Sequence, residues 1–147
     1  MSRGSAYSSA KSSIKPVPTV SVTRLHLRSP RFLLPFFLRT HRSRRQATRA
    51  PGNLGVRVRK TDGLAFWTLT LWRDMAAMRS FVMASPHREA MQKLANWCDE
   101  AAFAHWDLDI NDLPTWDIAV DKLRVSGHLA TVQHPSEKHK AGEIVVS

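Results

Sequence analysis

The chain has 147 residues, 43% of them hydrophobic, with 22 Lys and Arg against 12 Asp and Glu. This length and composition predict one globular domain. The single cysteine, Cys98, excludes a disulfide framework within the chain and fits a reducing compartment. The apolar run Phe32–Leu38 is too short for a membrane span and does not resemble a secretory signal. We therefore expect a cytoplasmic chain with no membrane partner.

The charge is distributed unevenly along the chain. Residues 1–60 contain 14 of the 22 basic residues and none of the 12 acidic ones, which leaves 8 basic and 12 acidic residues in 61–147. Such an asymmetry is typical of a nucleic-acid-binding arm, of a transit peptide, or of a folded half with a basic surface. The composition alone leaves these three alternatives open.

The first part of the chain predicts a tail, a strand and a helix. Residues 1–18 are Ser-rich and lack periodicity, so we expect a disordered basic tail. Residues 19–28 alternate like a strand, with a bulge expected near Thr23. A helix then opens at Ser29-Pro30 and stops before Pro51-Gly52. Six residues of this helix share one face: Leu34, Phe37, Leu38, His41, Arg45 and Thr48.

Two strands follow as a predicted hairpin. Residues 54–60 alternate, 61–63 form the turn, and 64–72 form the second strand, in which neither face carries a charge. Trp67 and Trp72 fall on opposite faces of that strand. A strand that is apolar on both faces must be covered on both. Because the chain looks too short for a second helical layer, we expect a partner subunit to cover one face.

The remaining part of the chain predicts helix, strand and helix. Asp74 is a good N-cap, and Ser85-Pro86 interrupts and restarts the helix, with His87 in the next first turn and Cys98 on its apolar stripe. Residues 101–106 alternate as a strand. Residues 113–116 open a last short helix that runs through Leu123 and is ended by Gly127, and we interpret 128–147 as a flexible C-terminal tail.

The predicted fold class is α+β. The order β-α-β-β-α-β with a C-terminal helix is the ferredoxin-like arrangement of four antiparallel strands with two helices on one face. The uncovered sheet face would pair two copies as a dimeric α/β barrel. We therefore predict a domain over residues 19–127 and a homodimer.

Four segments also resemble a known family. LAFWTLTLWRD, MRSFVMASPHREAM, WCDEAAFAHW and LPTW resemble a bacterial family of unknown function in the dimeric α/β-barrel superfamily. Its relatives include spheroidene-monooxygenase-like proteins and antibiotic-biosynthesis monooxygenases. The resemblance covers roughly residues 20–127, and the fold it implies hosts many chemistries.

The resemblance implies oxidation of flat apolar molecules without a metal, haem binding, or ligand binding alone. Haem-degrading relatives use an Asn on the first strand and a Trp and a His on the second helix. The matching helix positions here are Phe81 and Met91, and the first strand offers Thr23 and Arg24. The haem-degrading set is therefore not reproduced.

His87 is the candidate catalytic residue, as a base or a haem ligand, because a helix start favours the neutral imidazole. The alternative is an ordinary first-turn His that bonds a carbonyl group. Cys98 is interpreted as a small buried residue rather than a nucleophile. Large aromatic, Met and His side chains are candidates for the wall of an apolar pocket, and core packing is the alternative for each: Trp67, Trp72, Met78, Phe81, Met91, His105 and Trp106.

Three functions remain as hypotheses. The first is a monooxygenase-like enzyme acting on a flat apolar substrate between the sheet and the second helix. The second is a dimeric protein that only binds such a ligand or haem, and the third, ranked last, is a weak nonspecific nucleic-acid binder using the basic half. No motif supports flavin or NAD, so the expected cofactor is none or haem. The spaced His128, His134 and His139 form no recognisable zinc set, so we predict no metal.

Overall fold

The computed structural model describes residues 17–61 and 63–147. Within these ranges five antiparallel strands form one sheet in the order β2-β3-β1-β4-β5. The strands are β1 Thr19–Leu27, β2 Asn53–Lys60, β3 Ala65–Trp72, β4 Cys98–Asp107 and β5 His128–Leu129. The predicted tail over residues 1–16 and the turn residue Asp62 lie outside the described residues.

The helices follow the predicted order. They are α1 Leu33–Arg49, α2 Met75–Met83, α3 His87–Trp97, α4 Trp116–Ser126 and the short α5 Glu137–Lys140, with a 3₁₀ turn at Pro30–Phe32 before α1. The prediction of an α+β, ferredoxin-like β-α-β-β-α-β fold with a C-terminal helix is thus confirmed. The second helix of that pattern is the α2–α3 pair, broken at Ser85-Pro86 as the sequence indicates.

Local signals set most helix ends. The Asp74 carboxylate accepts a hydrogen bond of 2.8 Å from the Ala77 N–H at the start of α2, as its role as N-cap requires. Thr115 caps α4 in the same way, and Gly127 is its C-cap. At α3 the N-cap is Pro86 rather than Ser85, so the helix begins one residue later than expected.

The sheet face opposite α1–α3 is covered by the chain itself. Val20 and Val22 of β1 and Trp67, Leu69 and Leu71 of β3 have no more than 1% of their surface exposed. They pack against Ala119 and Leu123 of α4 and against Ile144 and Val146 near the end of the chain. The expectation that a partner subunit covers this face is therefore wrong, because α4 and the following segment reach it. The homodimer itself stays a prediction.

The other face carries α1, α2 and α3 and is packed tightly only at its two ends. At one end Leu25 and Leu27 pack with Phe36 of α1 and Leu94 of α3. At the other end Trp72 packs with residues of α1 and α2 that include Ala47, Ala77, Met78 and Phe81. Trp67 and Trp72 therefore lie on opposite faces, as the alternation of side chains predicts.

The predicted shared face of α1 is the exposed one. Phe36 and Ala47 are buried, whereas Leu34, Phe37 and Leu38 are exposed over 70%, 49% and 60% of their surfaces. The prediction that Leu54 and Val58 of β2 face inward is only partly correct, because each is 48% exposed. The guanidinium of Arg59 lies 4.7 Å from the Trp116 ring centre.

Three smaller predictions need correction. The register shift in β1 lies between His26 and Leu27 rather than near Thr23. Cys98 opens β4 instead of lying within the helix, although it is buried as expected. Residues 128–147 contain β5 and α5, and backbone N–H groups of Ala130 and Ser136 donate to carbonyl groups of β4 at 2.9 Å. Whether this segment is also flexible stays a prediction.

A buried ion pair joins β1 to β4. Arg24, with a side chain 4% exposed, lies 3.0 Å from the Glu100 carboxylate, which is 14% exposed. Arg24 also donates two hydrogen bonds of 2.9 and 3.2 Å to the Ser147 carbonyl group. Ser136 donates to the second Glu100 oxygen at 2.8 Å. Burial acts to raise the pKa of Glu100, but the hydrogen bonds from Ser136 and Arg24 and the charges of Arg24 and His26 outweigh it and lower the pKa overall.

Replacing Arg24 by Met is expected to lower the free energy of unfolding by about 3 kcal/mol, because the Glu100 carboxylate loses its cation in a nearly dry setting. Urea denaturation at neutral pH measures this effect. The exposed Arg57→Met variant is the control and should stay within about 0.5 kcal/mol of the wild type. Since the folded-state pKa of Glu100 is lowered, its contribution is present above the ordinary carboxyl value and disappears as the pH falls through the folded-state value. Equal stabilities of the two proteins at pH 7 would contradict the role of this pair.

Candidate functional site

A row of hydroxyl groups crosses the helix-facing side of the sheet. Ser21 pairs with Thr70 of β3, and Thr23 pairs with Thr68. These four residues, which we call the hydroxyl band, have the parity of Leu25, Leu27 and Trp72 and so face the helical layer. On the other side of β1, His105 lies opposite Ser21 and Phe103 lies opposite Thr23. Two adjacent rows therefore cross β3, β1 and β4. One row is Thr70, Ser21 and His105, and the other is Thr68, Thr23 and Phe103.

The band lies between the two apolar ends of the helical layer and is not dry. Ser21, Thr23 and Thr68 are partly exposed, and His105 and Phe103 are exposed. Solvent therefore reaches the middle of this sheet face, and we call this space the sheet–helix groove. The Thr70 hydroxyl accepts a hydrogen bond of 2.9 Å from the Trp72 indole N–H. The other three hydroxyls have no hydrogen bond to a described residue, so they are free to bond water or a ligand.

Three rings connect the end of the groove to the start of α3. The Trp72 and Phe81 rings stack with centres 5.1 Å apart, and the Phe81 and His87 rings lie 4.5 Å apart. Trp72 is fully buried, and Met78 packs in the same cluster. Because Trp72 is fully buried and Phe81 is only 8% exposed, this stack belongs to the packed core and holds the His87 ring against it.

His87 is held in place by two contacts. Its backbone N–H donates to the Gln46 side-chain oxygen at 2.8 Å, and its Nδ1 lies 3.4 Å from the Val82 carbonyl oxygen. Burial lowers the pKa of His87, although the Val82 carbonyl acts in the opposite direction. The imidazole is therefore neutral at pH 7 and, with its proton on Nδ1, keeps a lone pair on Nε2. This arrangement also satisfies the alternative interpretation of a first-turn His that bonds a carbonyl group.

The structure brings four of the sequence-predicted site residues together: Trp72, Met78, Phe81 and His87. His105 lies on the same sheet face, in the row with Ser21. Met91 packs at the other end of the helical layer. Trp67 and Trp106 lie on the opposite sheet face, where they pack with the α4 cluster, and so are not part of the groove.

The hydroxyl band was missed by the sequence interpretation. A signal was present, because Ser21 and Thr23 share one parity of β1 and Thr68 and Thr70 share one parity of β3. Their convergence depends on the pairing register, which alternation does not specify.

Two other features bear on chemistry. Cys98 is buried, and burial together with the neighbouring Asp99 carboxylate raises its pKa to about 12, so it is not a nucleophile at neutral pH. Among the described residues, His26, Asp99 and Glu100 place potential metal-ligating atoms within 4.8 Å of one another. His26 Nδ1 is 2.6 Å from Asp99, and both Glu100 oxygens are already bonded, so these groups satisfy one another.

The described helices include none that is long and apolar enough to cross a membrane.

Comparison with families and known structures supports the fold. A family model described as "Domain of unknown function (DUF3291)" matches residues 35–133. A comparison with curated proteins gave no match. The predicted membership of a family of unknown function is confirmed, and a solved structure described as an antibiotic biosynthesis monooxygenase shares the fold.

Solved structures with the same fold include two proteins described as oxygenases and one conserved protein whose description gives no role. SnoaB, a cofactor-independent oxygenase from Streptomyces nogalater, is 16% identical with a TM-score of 0.54, covering 67% of this chain and 99% of SnoaB. An antibiotic biosynthesis monooxygenase is 10% identical with a TM-score of 0.54, covering 63% and 97% of the two chains. A conserved protein from Methanosarcina mazei Go1 is 13% identical with a TM-score of 0.57, covering 61% and 91%. At these identities the likeness shows the fold alone.

The lowered pKa of His87 makes stability depend on pH. Below 6.5 the unfolded chain binds a proton at this residue while the folded chain resists it, so stability is expected to fall as the pH drops through that range. The imidazole resonances of His87 should titrate with a midpoint below 6.5 by NMR. In urea denaturation at several pH values, His87→Gln should lose part of the wild-type slope. An identical slope in both proteins would show that His87 is not held neutral by the fold.

Proposed function

This chain belongs to the DUF3291 family of domains of unknown function, and we propose that it is a monooxygenase-type enzyme. Its substrate would be a flat apolar molecule bound in the sheet–helix groove and oxidised there with molecular oxygen. The observation that carries this proposal is the hydroxyl band, which lies solvated between two packed apolar clusters.

The groove suits a planar molecule that is apolar on its faces and polar at its edge. The buried cluster of Trp72, Met78 and Phe81 closes one end of the groove with apolar side chains, of which Met78 is the most adaptable. Ser21, Thr23 and Thr68 offer hydroxyl groups that both donate and accept, which suits carbonyl or phenol groups on a ring edge. A ligand that covers these hydroxyls removes them from water, so it must carry groups that hydrogen-bond them in turn.

The proposed reaction is the oxidation of an activated CH₂ group to a ketone. A base removes one C–H proton, and the resulting carbanion transfers electrons to O₂. One oxygen atom ends in the new C=O bond, and the other leaves as water with both hydrogens of the CH₂ group. The CH₂ group supplies all four electrons that reduce O₂ to the carbonyl oxygen and water, so this balance requires no external reductant. The description of SnoaB as a cofactor-independent oxygenase supports this class of reaction as a proposal for this chain.

His87 is the proposed base. Its ring is neutral at pH 7, and its Nδ1 is directed at the Val82 carbonyl group, which leaves Nε2 to accept a proton. His105 is the second candidate, because it lies in the same row as Ser21 on the groove side of β4. The alternative function is binding of the same ligand, or of haem, without turnover.

The test is oxygen uptake by the purified full chain with anthrone, a flat tricyclic ketone with one activated CH₂ group, and a chelator. We expect uptake matched by ketone formation, and a rate at least about 100-fold lower when the base, His87 or His105, is replaced by Ala. Thr68→Val should raise KM, because a hydroxyl that contacts the ring edge is lost. Thr131→Val, which changes an exposed residue of the C-terminal segment, is the matched control.

Three results would overturn parts of this proposal. Anthrone binding without turnover would mark a binding protein. A Soret band that saturates at one added haemin per chain and shifts in His87→Ala would mark a haem protein. Full activity in both His variants would remove the proposed base.

We further propose that the chain is a homodimer. Because the apolar sheet face is covered by α4, the contact would use the outer side of this helix, where Ile118 and Val125 are 48% and 73% exposed. These residues are seven positions apart and therefore share one side of the helix. In a two-fold dimer this side of the helix would meet the same side of the second copy, and both apolar pairs would be removed from water.

Light scattering of the eluting protein at micromolar concentration should give about twice the chain mass of 16.6 kDa. The double variant Ile118→Asp, Val125→Asp is expected to give the single-chain mass, because two carboxylates would have to be desolvated at the contact. Val82→Asp, at an exposed position on α2, is the control and should stay dimeric. A wild-type protein that elutes as a monomer would refute the dimer.

A further inference from the structure

A cavity of about 520 Å³ lies between the C-terminal part of α1 and α2, away from the hydroxyl band. Four alanines, Pro51 and Phe81 make most of its lining apolar. Arg49, Arg73, Gln46 and Ser80 are the polar lining groups. The volume falls within the range of small-molecule sites.

The turn after α1 lies close against α2 and holds the backbone of Arg73 at the cavity. Gly52 has φ of +85°, and a Cβ atom there would lie 2.6 Å from the Ala77 Cβ, so only glycine allows the turn to approach α2 this closely. The Gly52 carbonyl accepts the Arg73 N–H at 2.7 Å. The backbone of Arg73 is thus fixed at the edge of the cavity.

The charge around the cavity is positive. A second groove of about 320 Å³, lined by His41, Arg44, Arg45, Thr48 and Arg49, shares Arg49 with the cavity. Neither lining contains Asp or Glu among the described residues. Arg49 forms no ion pair with a described residue, whereas Arg73 is 3.5 Å from the Asp74 carboxylate and is partly neutralised. Arg49 is therefore the main cation available to a ligand.

We propose that this cavity is a binding site for a small organic anion. The apolar body of the anion would contact Phe81 and the alanines, and its carboxylate or phosphate group would meet the Arg49 and Arg73 guanidinium groups. An inorganic anion would leave the apolar lining unused, and a neutral molecule would leave the two cations unused. The cavity shares Phe81 with the ring stack but contains no residue of the hydroxyl band, so this proposal does not depend on the proposed reaction.

The test uses the full chain and three matched probes at 150 mM salt: 1-naphthyl phosphate, 1-naphthoic acid and neutral 1-naphthol. Amide chemical shifts in two-dimensional NMR locate the binding and give its affinity. The two anions are expected to shift Ala76, Ser80 and Ala84, and 1-naphthol to bind about tenfold more weakly, since it lacks the charge-assisted hydrogen bonds. A preference between the two anions identifies the carboxylate or the phosphate as the favoured group.

Variants separate this site from general charge attraction. Arg49→Gln and Arg73→Gln should each weaken anion binding about five- to tenfold, while the exposed Arg57→Gln on β2 should leave it unchanged. Ser80→Leu, which fills the cavity without removing a charge, should abolish binding. Each variant is first checked for a wild-type melting temperature.

The proposal is overturned if 1-naphthol binds as tightly as the anions, or if inorganic phosphate binds as tightly as 1-naphthyl phosphate. It is also overturned if Arg57→Gln weakens binding as much as Arg49→Gln. Tighter binding of a single-stranded oligonucleotide than of the naphthyl anions, with shifts centred on Arg44 and Arg45, would assign the basic surface to nucleic acid instead.

Discussion

The structure depends on covering both faces of a sheet that carries little charge at its centre. β1 is hydrogen-bonded to β3 on one side and to β4 on the other, so its register positions every strand of the ferredoxin-like core. Val20 and Val22, on one side of β1, face the side of the sheet that α4 covers. Because side chains alternate, Leu25 and Leu27 must then face the helical layer, and they fix where α1 and α3 pack.

The sheet face that carries α1, α2 and α3 is not covered along its whole length. Threonine fits a strand well because its branched side chain packs on a pleated surface. Its hydroxyl, however, is costly to bury without a partner. Thr23 and Thr68 therefore support the strands while preventing a dry core beneath the helices. The candidate site therefore lies where the residues favour strand formation but do not favour a dry apolar core.

The order of elements was readable from the sequence because each depends on local periodicity and on capping groups such as Asp74 and Thr115. The placement of Trp67 and Trp72 on opposite sheet faces was also predictable, because side chains alternate along a strand. The position of α4 was not readable, since an amphipathic helix shows the same pattern whichever sheet face it covers. The exposed side of α1 was also ambiguous, because Leu34, Phe37 and Leu38 are as apolar as the buried Phe36.

Only part of the candidate site could be predicted from the sequence, because several of its residues are far apart along the chain. His87 was found because it begins a helix, and Phe81 because it is a large aromatic residue in the preceding helix. The Gln46 contact to His87 and the pairing of Ser21 with Thr70 join residues more than 40 positions apart in sequence. Such contacts are set by tertiary packing, which single-sequence patterns do not encode.

Phe81 and Gln46 connect the two proposed ligand spaces. Both line the cavity, and both contact His87, through the ring at 4.5 Å and through the hydrogen bond of 2.8 Å. Phe81 has the fully buried Trp72 behind it and has little room to recede when a ligand presses on it. A ligand bound in the cavity would therefore act on the surroundings of His87. The charge of a bound anion would oppose the lowering of the His87 pKa by burial, and by reciprocity protonation of His87 would strengthen binding of the anion by the same factor.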